Sequence, residues 1–378
     1  MKRLSVLIPD ADVRLPVACC LAASQQVVVH GLAVNSGSSL KHSKFFTSFE
    51  EYEGKFDIKG WLQRIGEIIA QRQIDVVLPI AEFAIKILGE HRHALSWSAK
   101  LPPLPSPHTL DLVTNKATFA DFLDTSAIPH PPTVVVSART PARDRLSTLT
   151  FPVLAKPLFS SGGIGIRRFE DLDSLIGFFA EQPTNERWVI QKFIEGHDLG
   201  VNVLCRDGRV VAATVQHAIK TSSEPYHAAI GIEVGDNPTA MKIAEALINK
   251  LGWSGVANID MRVDARRKMP MVLEINGRYW LTLLGSLNAG INFPLLACEM
   301  CLGTHWPKKK PQTARYFYGK ESALLSLVGG GVFRVRPRET DLRYLDPLPM
   351  SVRLAQSAAG RLRTLFLRFF PKRENTAA

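Results

Sequence analysis

The sequence predicts an α/β unit with a parallel, doubly wound sheet, followed by an α+β unit built on antiparallel strands. Three observations carry that prediction. Strand-like and helix-like segments alternate through the first third of the chain. A proline-dense stretch, LPPLPSPHTL at 101–110, then interrupts the alternation with Pro102, Pro103, Pro105 and Pro107 and reads as a stiff linker. Beyond it, two apolar runs meet at Asp207-Gly208, a two-residue hairpin signature that calls for antiparallel pairing.

The elements follow in order. RLSVLIP reads as a first strand, because its apolar run ends at Pro9 and Asp10, too early for the core of a signal peptide. VRLPVACCLAAS reads as a helix and QVVVHGLAV as a strand. GWLQRIGEIIAQRQ has Trp61, Leu62, Ile65, Ile68 and Ile69 at helical spacing. IDVVLPI is a strand and EFAIKILGEHRHAL a helix. After the linker, DLVTNKATFADFLDTSA predicts one helix, capped by Asp111 or Thr114. FPVLAKP and WVIQKFI read as strands, GVNVLCRDGRVVAATVQ as the hairpin and TAMKIAEALINKLGW as a helix. VANIDMRVD and PMVLEIN form a second strand pair, and no internal repeat is visible.

Bulk properties bound the class. With 378 residues, 46% of them hydrophobic, the chain can bury more than one core. No run approaches the roughly 18–20 apolar residues that span a bilayer. Five cysteines, Cys19, Cys20, Cys205, Cys298 and Cys301, form no even disulfide framework, which points to a reducing cytoplasm. The net charge of +11 is concentrated beyond residue 305, where fifteen Lys/Arg face five Asp/Glu. That basicity therefore belongs to a terminal segment and leaves the main body near neutral.

Two polar constellations carry chemistry. In KPLFSSGGIGI, Lys156 ends a strand and precedes a small-residue loop with Ser160, Ser161, Gly162, Gly163 and Gly165. Such loops let backbone N–H groups approach phosphate oxygens, and the lysine adds a point charge. The order is not that of a P-loop. In NIDM and LEINGRYW, Asp260 and Glu274 end two apolar strands, and Asn276 shares the face of Glu274 through the period of two. Paired strands would converge these oxygens on one spot suited to Mg²⁺, which in turn bridges phosphates.

In this order Lys116, Lys156 with SSGGIGI, VIQKFIEGHDLGV, GVANID and LEINGRYW resemble the ATP-grasp superfamily, in particular its carboxylate–amine ligases and carbamoyl-phosphate-synthase-like members. The resemblance spans about 110–300. It implies a Rossmann-like pre-ATP-grasp domain at 1–108, an ATP-grasp domain of two α+β subdomains clasping ATP at 109–305, and a basic extension at 306–378. Residue by residue, Lys116 and Lys156 take the positions of the phosphate lysines, Ser160 to Gly165 that of the mobile phosphate loop. Gln191, Lys192 and Phe193 fall on the adenine hinge, where Gln191 replaces the more frequent Glu. Asp198 falls on the ribose position, one methylene short of the usual Glu. Asp260, Glu274 and Asn276 take the positions of the Mg²⁺ ligands, where Mn²⁺ can substitute, and Arg278 that of the arginine meeting the transferred phosphoryl group. Gly277 stands where relatives often carry proline.

The implied activity is ATP-dependent joining of a small-molecule carboxylate to an amine through an acyl phosphate, in the cytoplasm. The alternative is an ATP-binding module without turnover that serves as a regulatory or scaffold subunit. Other positions stay open. Glu82 is either a ligand group beyond a strand end or a helix-start carboxylate. His217 and Lys220 are candidates for binding a substrate carboxylate, with an exposed strand residue as the plain reading of His217; Asn288 and Asn292 are weaker candidates. Cys298, Cys301 and His305 have partial zinc spacing but no evident fourth ligand, and buried helix cysteines are the preferred reading. RLRTLFLRFF at 361–370 reads as a helix docked on the core or as a basic amphipathic helix on the inner membrane face. No nucleic-acid module accompanies the charge, and a homodimer is compatible with the sequence.

Overall fold

The computed structural model describes residues 3–12, 15–137, 143–159, 162–183, 186–222, 226–304, 310–318 and 346. The amphipathic 361–370 stretch lies outside them, as do Ser160, Ser161 and His305. No described helix is long and apolar enough to cross a membrane.

The first unit alternates as expected. Strands β1 (Leu4–Ile8), β2 (Val27–Ala33), β3 (Ser48–Glu51) and β4 (Val76–Val77) form a wholly parallel sheet in the order β3-β2-β1-β4. Helix α1 (Leu15–Ala22) connects β1 to β2 and α2 (Ile58–Arg72) connects β3 to β4, and α3 (Glu82–His91) follows β4. The period of two sends Leu7 of β1 into a core with Trp61, Ile65 and Ile68 of α2. Val6 and Ile8 go to the opposite core with α1, Trp280 and Phe293. Burial on both faces is why these strands read as continuous apolar runs. Asp57 caps α2 by accepting from Gly60 N–H at 2.7 Å. β3 has no apolar alternation to announce it. Its Glu50 instead carries ion pairs to Arg64 and Arg72 of α2.

The single helix expected after the linker is two: α4 (Pro107–Thr114) and α5 (Lys116–Thr125). Asn115 leaves helical geometry at φ −83°, ψ 110°, and its side chain caps α5 through Ala117 N–H. Ser106, not Asp111 or Thr114, caps α4, with Pro107 in its first turn.

A second sheet is antiparallel, in the order β5-β8-β6-β7. It comprises β5 (Thr133–Ser137), β6 (Val153–Pro157), β7 (Arg167–Phe169) and β8 (Arg187–Lys192). Helices α6 (Arg143–Leu146) and α7 (Leu172–Ala180) accompany it. Its core holds Leu146, Val153, Phe179 and Trp188.

The third sheet is the largest. It comprises β9 (Gly196–Arg206), β10 (Arg209–Lys220), β11 (Gly231–Gly235), β12 (Gly255–Asp264), β13 (Pro270–Asn276) and β14 (Ala314–Phe317). All pairs are antiparallel, in the order β13-β12-β9-β10-β11-β14. The β9–β10 hairpin turns at Asp207 and Gly208, both at positive φ (50° and 74°), as a tight two-residue turn requires. Helix α8 (Pro238–Leu251) covers one face through Ile243, Leu247 and Ile248 against Val201, Val203 and Ile259. Helices α9 (Leu283–Asn288) and α10 (Phe293–Cys301) lie on the other side and join the core of the parallel unit. β14 lies beyond residue 305 and closes the sheet against β11, with Tyr316 buried.

Candidate functional site

Two lysines and a carboxylate pair converge from four elements, α5, β6, β12 and β13. Lys116 is the first residue of α5, at the positive end of the helix, where a cation is locally unfavourable. Lys156 sits near the end of β6 with only 9% of its surface exposed. Burial pushes its ammonium pKa down from 10.5 to about 8, the nearby Lys116 adds to this, and the Glu274 carboxylate opposes it. Lys116 is also lowered by burial and raised by Glu274 and Glu82. One carboxylate of the large sheet is therefore felt by both lysines, across the space between the two antiparallel units.

The carboxylate face is set by register. Asp260 of β12 stands opposite Glu274 of β13, and Asn258 opposite Asn276. Asn276 Nδ2 donates to Asp260 Oδ2 at 3.1 Å and to Glu274 Oε1 at 3.3 Å. Arg278 Nη2 donates to Asn276 Oδ1 at 3.1 Å, and Nη1 to the Tyr279 carbonyl at 3.3 Å. Burial first, then the charge of Glu274 and a hydrogen bond with it, push the Asp260 carboxyl well above the usual carboxylate range. Two acidic side chains held this close in a buried place repel one another, and a divalent cation would relieve that repulsion. The donor set of two carboxylates and an amide oxygen is hard and suits Mg²⁺. Among the described residues no group of three or more His, Cys, Asp and Glu could hold a metal ion. The Asn276 oxygen would be the third ligand, and since it accepts from Arg278 here while Nδ2 faces the carboxylates, its amide would have to turn over to ligate.

The glycine loop has the conformation its residues allow. Gly162, Gly163 and Gly165 all take positive φ (64°, 80° and 79°). A Cβ on Gly163 would lie 2.5 Å from the Tyr226 carbonyl oxygen, so the loop backbone packs against the segment after β10.

Several predicted positions have unexpected partners. The Gln191 side chain points inward: its Oε1 accepts from Lys156 Nζ at 2.7 Å and its Nε2 donates to Thr133 Oγ1 at 3.1 Å. It steadies the lysine, and the backbone N–H groups of Lys192 and Phe193 donate to the Pro132 and Pro152 carbonyls, each at 2.9 Å. Asp198 accepts from Arg262 Nη1 at 2.6 Å, its register partner across β9 and β12. Phe193 lies under the guanidinium groups of both Arg168 and Arg262. A Cβ on Gly277 would meet Leu110 Cδ1 at 2.6 Å and Trp253 Cη2 at 2.9 Å, which explains glycine there. Glu82 starts α3 and accepts from Thr114 Oγ1 at 2.7 Å. His217 has the strand parity of Val215, which packs toward α8, and pairs with Leu199 and Glu233. Lys220 pairs with Gly231 on β11. Asn292 donates to the Cys20 carbonyl and caps α10. Asn288 ends α9. Cys298 is buried in α10 with its thiol pushed well upward by burial, and half-buried Cys301 donates to the Ala99 carbonyl at 3.5 Å.

Sequence reasoning missed Asn202, Thr214, Gln216, Asn258 and Ser286. The first three are buried polar residues of β9 and β10 on the same face as Asp260, with Ser286 of α9 beneath them. The signal was present as Asn202, Thr214 and Gln216 inside otherwise apolar strands.

Comparison with known proteins fits this geometry. The family described as "ATP-grasp in the biosynthetic pathway with Ter operon" matches residues 184–321, so this part of the chain is similar to an ATP-grasp domain. The chain is 22% identical over 266 residues to carbamoyl-phosphate synthase of Methanobrevibacter smithii, covering 68% of this chain and 71% of that one. It is 26% identical over 196 residues to D-alanine–D-alanine ligase of Hydrogenovibrio crunogenus, covering 47% of this chain and 61% of the ligase. The fold is similar to N5-carboxyaminoimidazole synthetase from Staphylococcus aureus complexed with ADP, at TM-score 0.64 and 14% identity, covering 89% and 87% of the two chains.

Proposed function

We propose that this chain is a cytoplasmic, Mg²⁺- and ATP-dependent ligase that activates a small-molecule carboxylate as an acyl phosphate and joins it to an amine. The observation that carries the reading is the convergence of Lys116 and Lys156 on Glu274, itself paired with Asp260 and bridged to Arg278 by Asn276. The similarity to ligases that use ATP supports it. The parallel unit at the start is read as the pre-ATP-grasp domain.

In the first step a substrate carboxylate oxygen attacks the γ-phosphorus of ATP. The bond from that phosphorus to the bridging oxygen breaks, and ADP leaves with the electron pair. Lys116 and Lys156 bind phosphate oxygens, and the glycine loop supplies backbone N–H groups. Asp260, Glu274 and Asn276 would hold magnesium, which neutralises charge on the transferring phosphoryl group. Arg278 stands beside those ligands and offers guanidinium N–H groups to the same oxygens and to the acyl phosphate. In the second step the amine nitrogen attacks the acyl carbon. The carbon–oxygen bond breaks, phosphate departs with the electron pair, and the proton lost by the amine passes to that phosphate.

The test is ADP release with panels of amino acids and sugar acids as carboxylate and of amines as acceptor, with hydroxylamine trapping of the acyl phosphate. Glu274→Ala should lower substrate-stimulated ADP release at least a hundredfold. Full ADP release by that variant with a true substrate pair would refute the metal assignment.

A further inference from the structure

The large sheet carries two polar rows across its strands on the carboxylate face. One runs Asn276, Asn258, Asn202, Thr214 and the other Glu274, Asp260, Gly200, Gln216, each residue opposite the next. The first row continues as a chain of hydrogen bonds. Asn258 Nδ2 donates to Asn202 Oδ1 at 3.1 Å, and Asn202 Nδ2 donates to Thr214 Oγ1 at 3.4 Å. The Thr214 hydroxyl lies 2.8 Å from Ser286 Oγ. Gln216 Nε2 donates to Ser286 Oγ at 3.1 Å and to the Thr282 carbonyl at 3.3 Å, while Thr282 Oγ1 donates to Gln216 Oε1 at 2.5 Å. Asn202, Thr214, Gln216 and Ser286 are each no more than 5% exposed.

Four interior neutral polar groups need a reason, because an apolar row would fill the same space without demanding partners. Direction is what hydrogen bonds add: dispersion contacts let a short helix slide, and bonds of fixed geometry do not. The chain links two places. At one end, Asn258 is one of the side-chain hydrogen-bond partners of Asp260, beside Asn276. At the other, Thr282 and Ser286 belong to the start of α9, directly after the segment that bears Arg278. The hydrogen bonds of Arg278 run to Asn276 and Tyr279, both within its own segment. Its position over the carboxylates is therefore set by how the two ends of that segment are anchored. The near end is anchored by the β12–β13 ladder, and the far end by this chain.

We propose that Thr214, with Asn202, Gln216 and Ser286, is a positioning device that anchors the start of α9 to the metal-ligand strands and so holds Arg278 over the transferring phosphoryl group. The proposal rests on the ligase reading for its kinetic consequence, but not for its structural one. Thr214 is the joint of the side-chain chain, since its hydroxyl meets both Asn202 and Ser286, while Gln216 ties Thr282 and Ser286 to the same strand. All members are neutral, so the anchorage holds its geometry across the working pH range.

The test is Thr214→Val, which keeps shape and removes the hydroxyl, beside Thr214→Ser, which keeps the hydroxyl. In full-length Thr214→Val, hydrogen exchange of the 279–286 amides should speed up roughly tenfold, and affinity for Mg·ADP should stay within about twofold. Thr214→Ser should restore wild-type exchange. With a substrate pair in hand, Thr214→Val should lower kcat roughly tenfold with KM for ATP unchanged, and Thr214→Ser should recover it. If Thr214→Val does not fold, Ser286→Ala breaks the adjoining link and is read the same way. Unchanged exchange at 279–286 in the folded variant overturns the proposal, whether or not a ligase substrate is found. Altered exchange with no turnover on any substrate would fault the ligase reading alone.

Discussion

Replacing Lys156 with methionine should stabilise the ligand-free protein while abolishing its response to nucleotide. The ammonium group is buried beside the neutral Gln191 amide, and burial brings its pKa from 10.5 to about 8. A depression of that size corresponds to about 3 kcal/mol of penalty on the charged form near neutral pH. Methionine has similar length and no charge, so the penalty vanishes. It leaves the Gln191 oxygen without this donor, which costs about 1–1.5 kcal/mol. The net gain is about 1–2 kcal/mol at pH 7, or a Tm rise of about 2–5 °C. The advantage has a defined pH window. Between pH 8 and 10.5 the unfolded lysine keeps its proton and the folded one does not, so wild-type stability rises with pH there. The gap between variant and wild type should therefore narrow from pH 7 to pH 10. The assay is thermal unfolding at both pH values with and without Mg·ADP. The wild type should gain stability from Mg·ADP at pH 7, and the variant should not. A variant that melts below the wild type at pH 7, by a margin that pH does not alter, would refute the reasoning.

Two other substitutions separate the remaining parts of the site. Asp260→Asn relieves a buried carboxyl pair, so it should leave apo stability unchanged or raise it by about 1 kcal/mol while weakening Mn²⁺ binding, read by electron paramagnetic resonance, at least tenfold. Gly277→Ala places a methyl group against Leu110 and Trp253 and should destabilise by about 1–3 kcal/mol in denaturant titration.

Much of the fold was legible because its signals are local. The apolar spacing in α2 named that helix, and Asp207-Gly208 named the hairpin. Shared parity put Glu274 and Asn276 on one face, and the strand pair then brought Asp260 opposite Glu274. Elements without such signals were missed. β3 is a polar edge strand identified only by pairing with β2, and β14 only by pairing with β11. The break at Asn115 was hidden because the apolar pattern runs through it, whereas the asparagine side chain offers α5 a cap.

The sequence by itself determined which residue types were on hand: the lysines, the glycine loop and the alternation of Glu274, Asn276 and Arg278. Local chemistry suffices for that, since spacing along one strand decides which groups share a face. Tertiary structure decided who stands beside whom. It turned Gln191 toward Lys156, gave Asp198 to Arg262, and aligned Asn258, Asn202 and Thr214 into one row beneath α9. Those neighbours come from strands far apart in the chain, and cross-strand register is fixed by non-local pairing and packing, which one strand's own pattern does not encode.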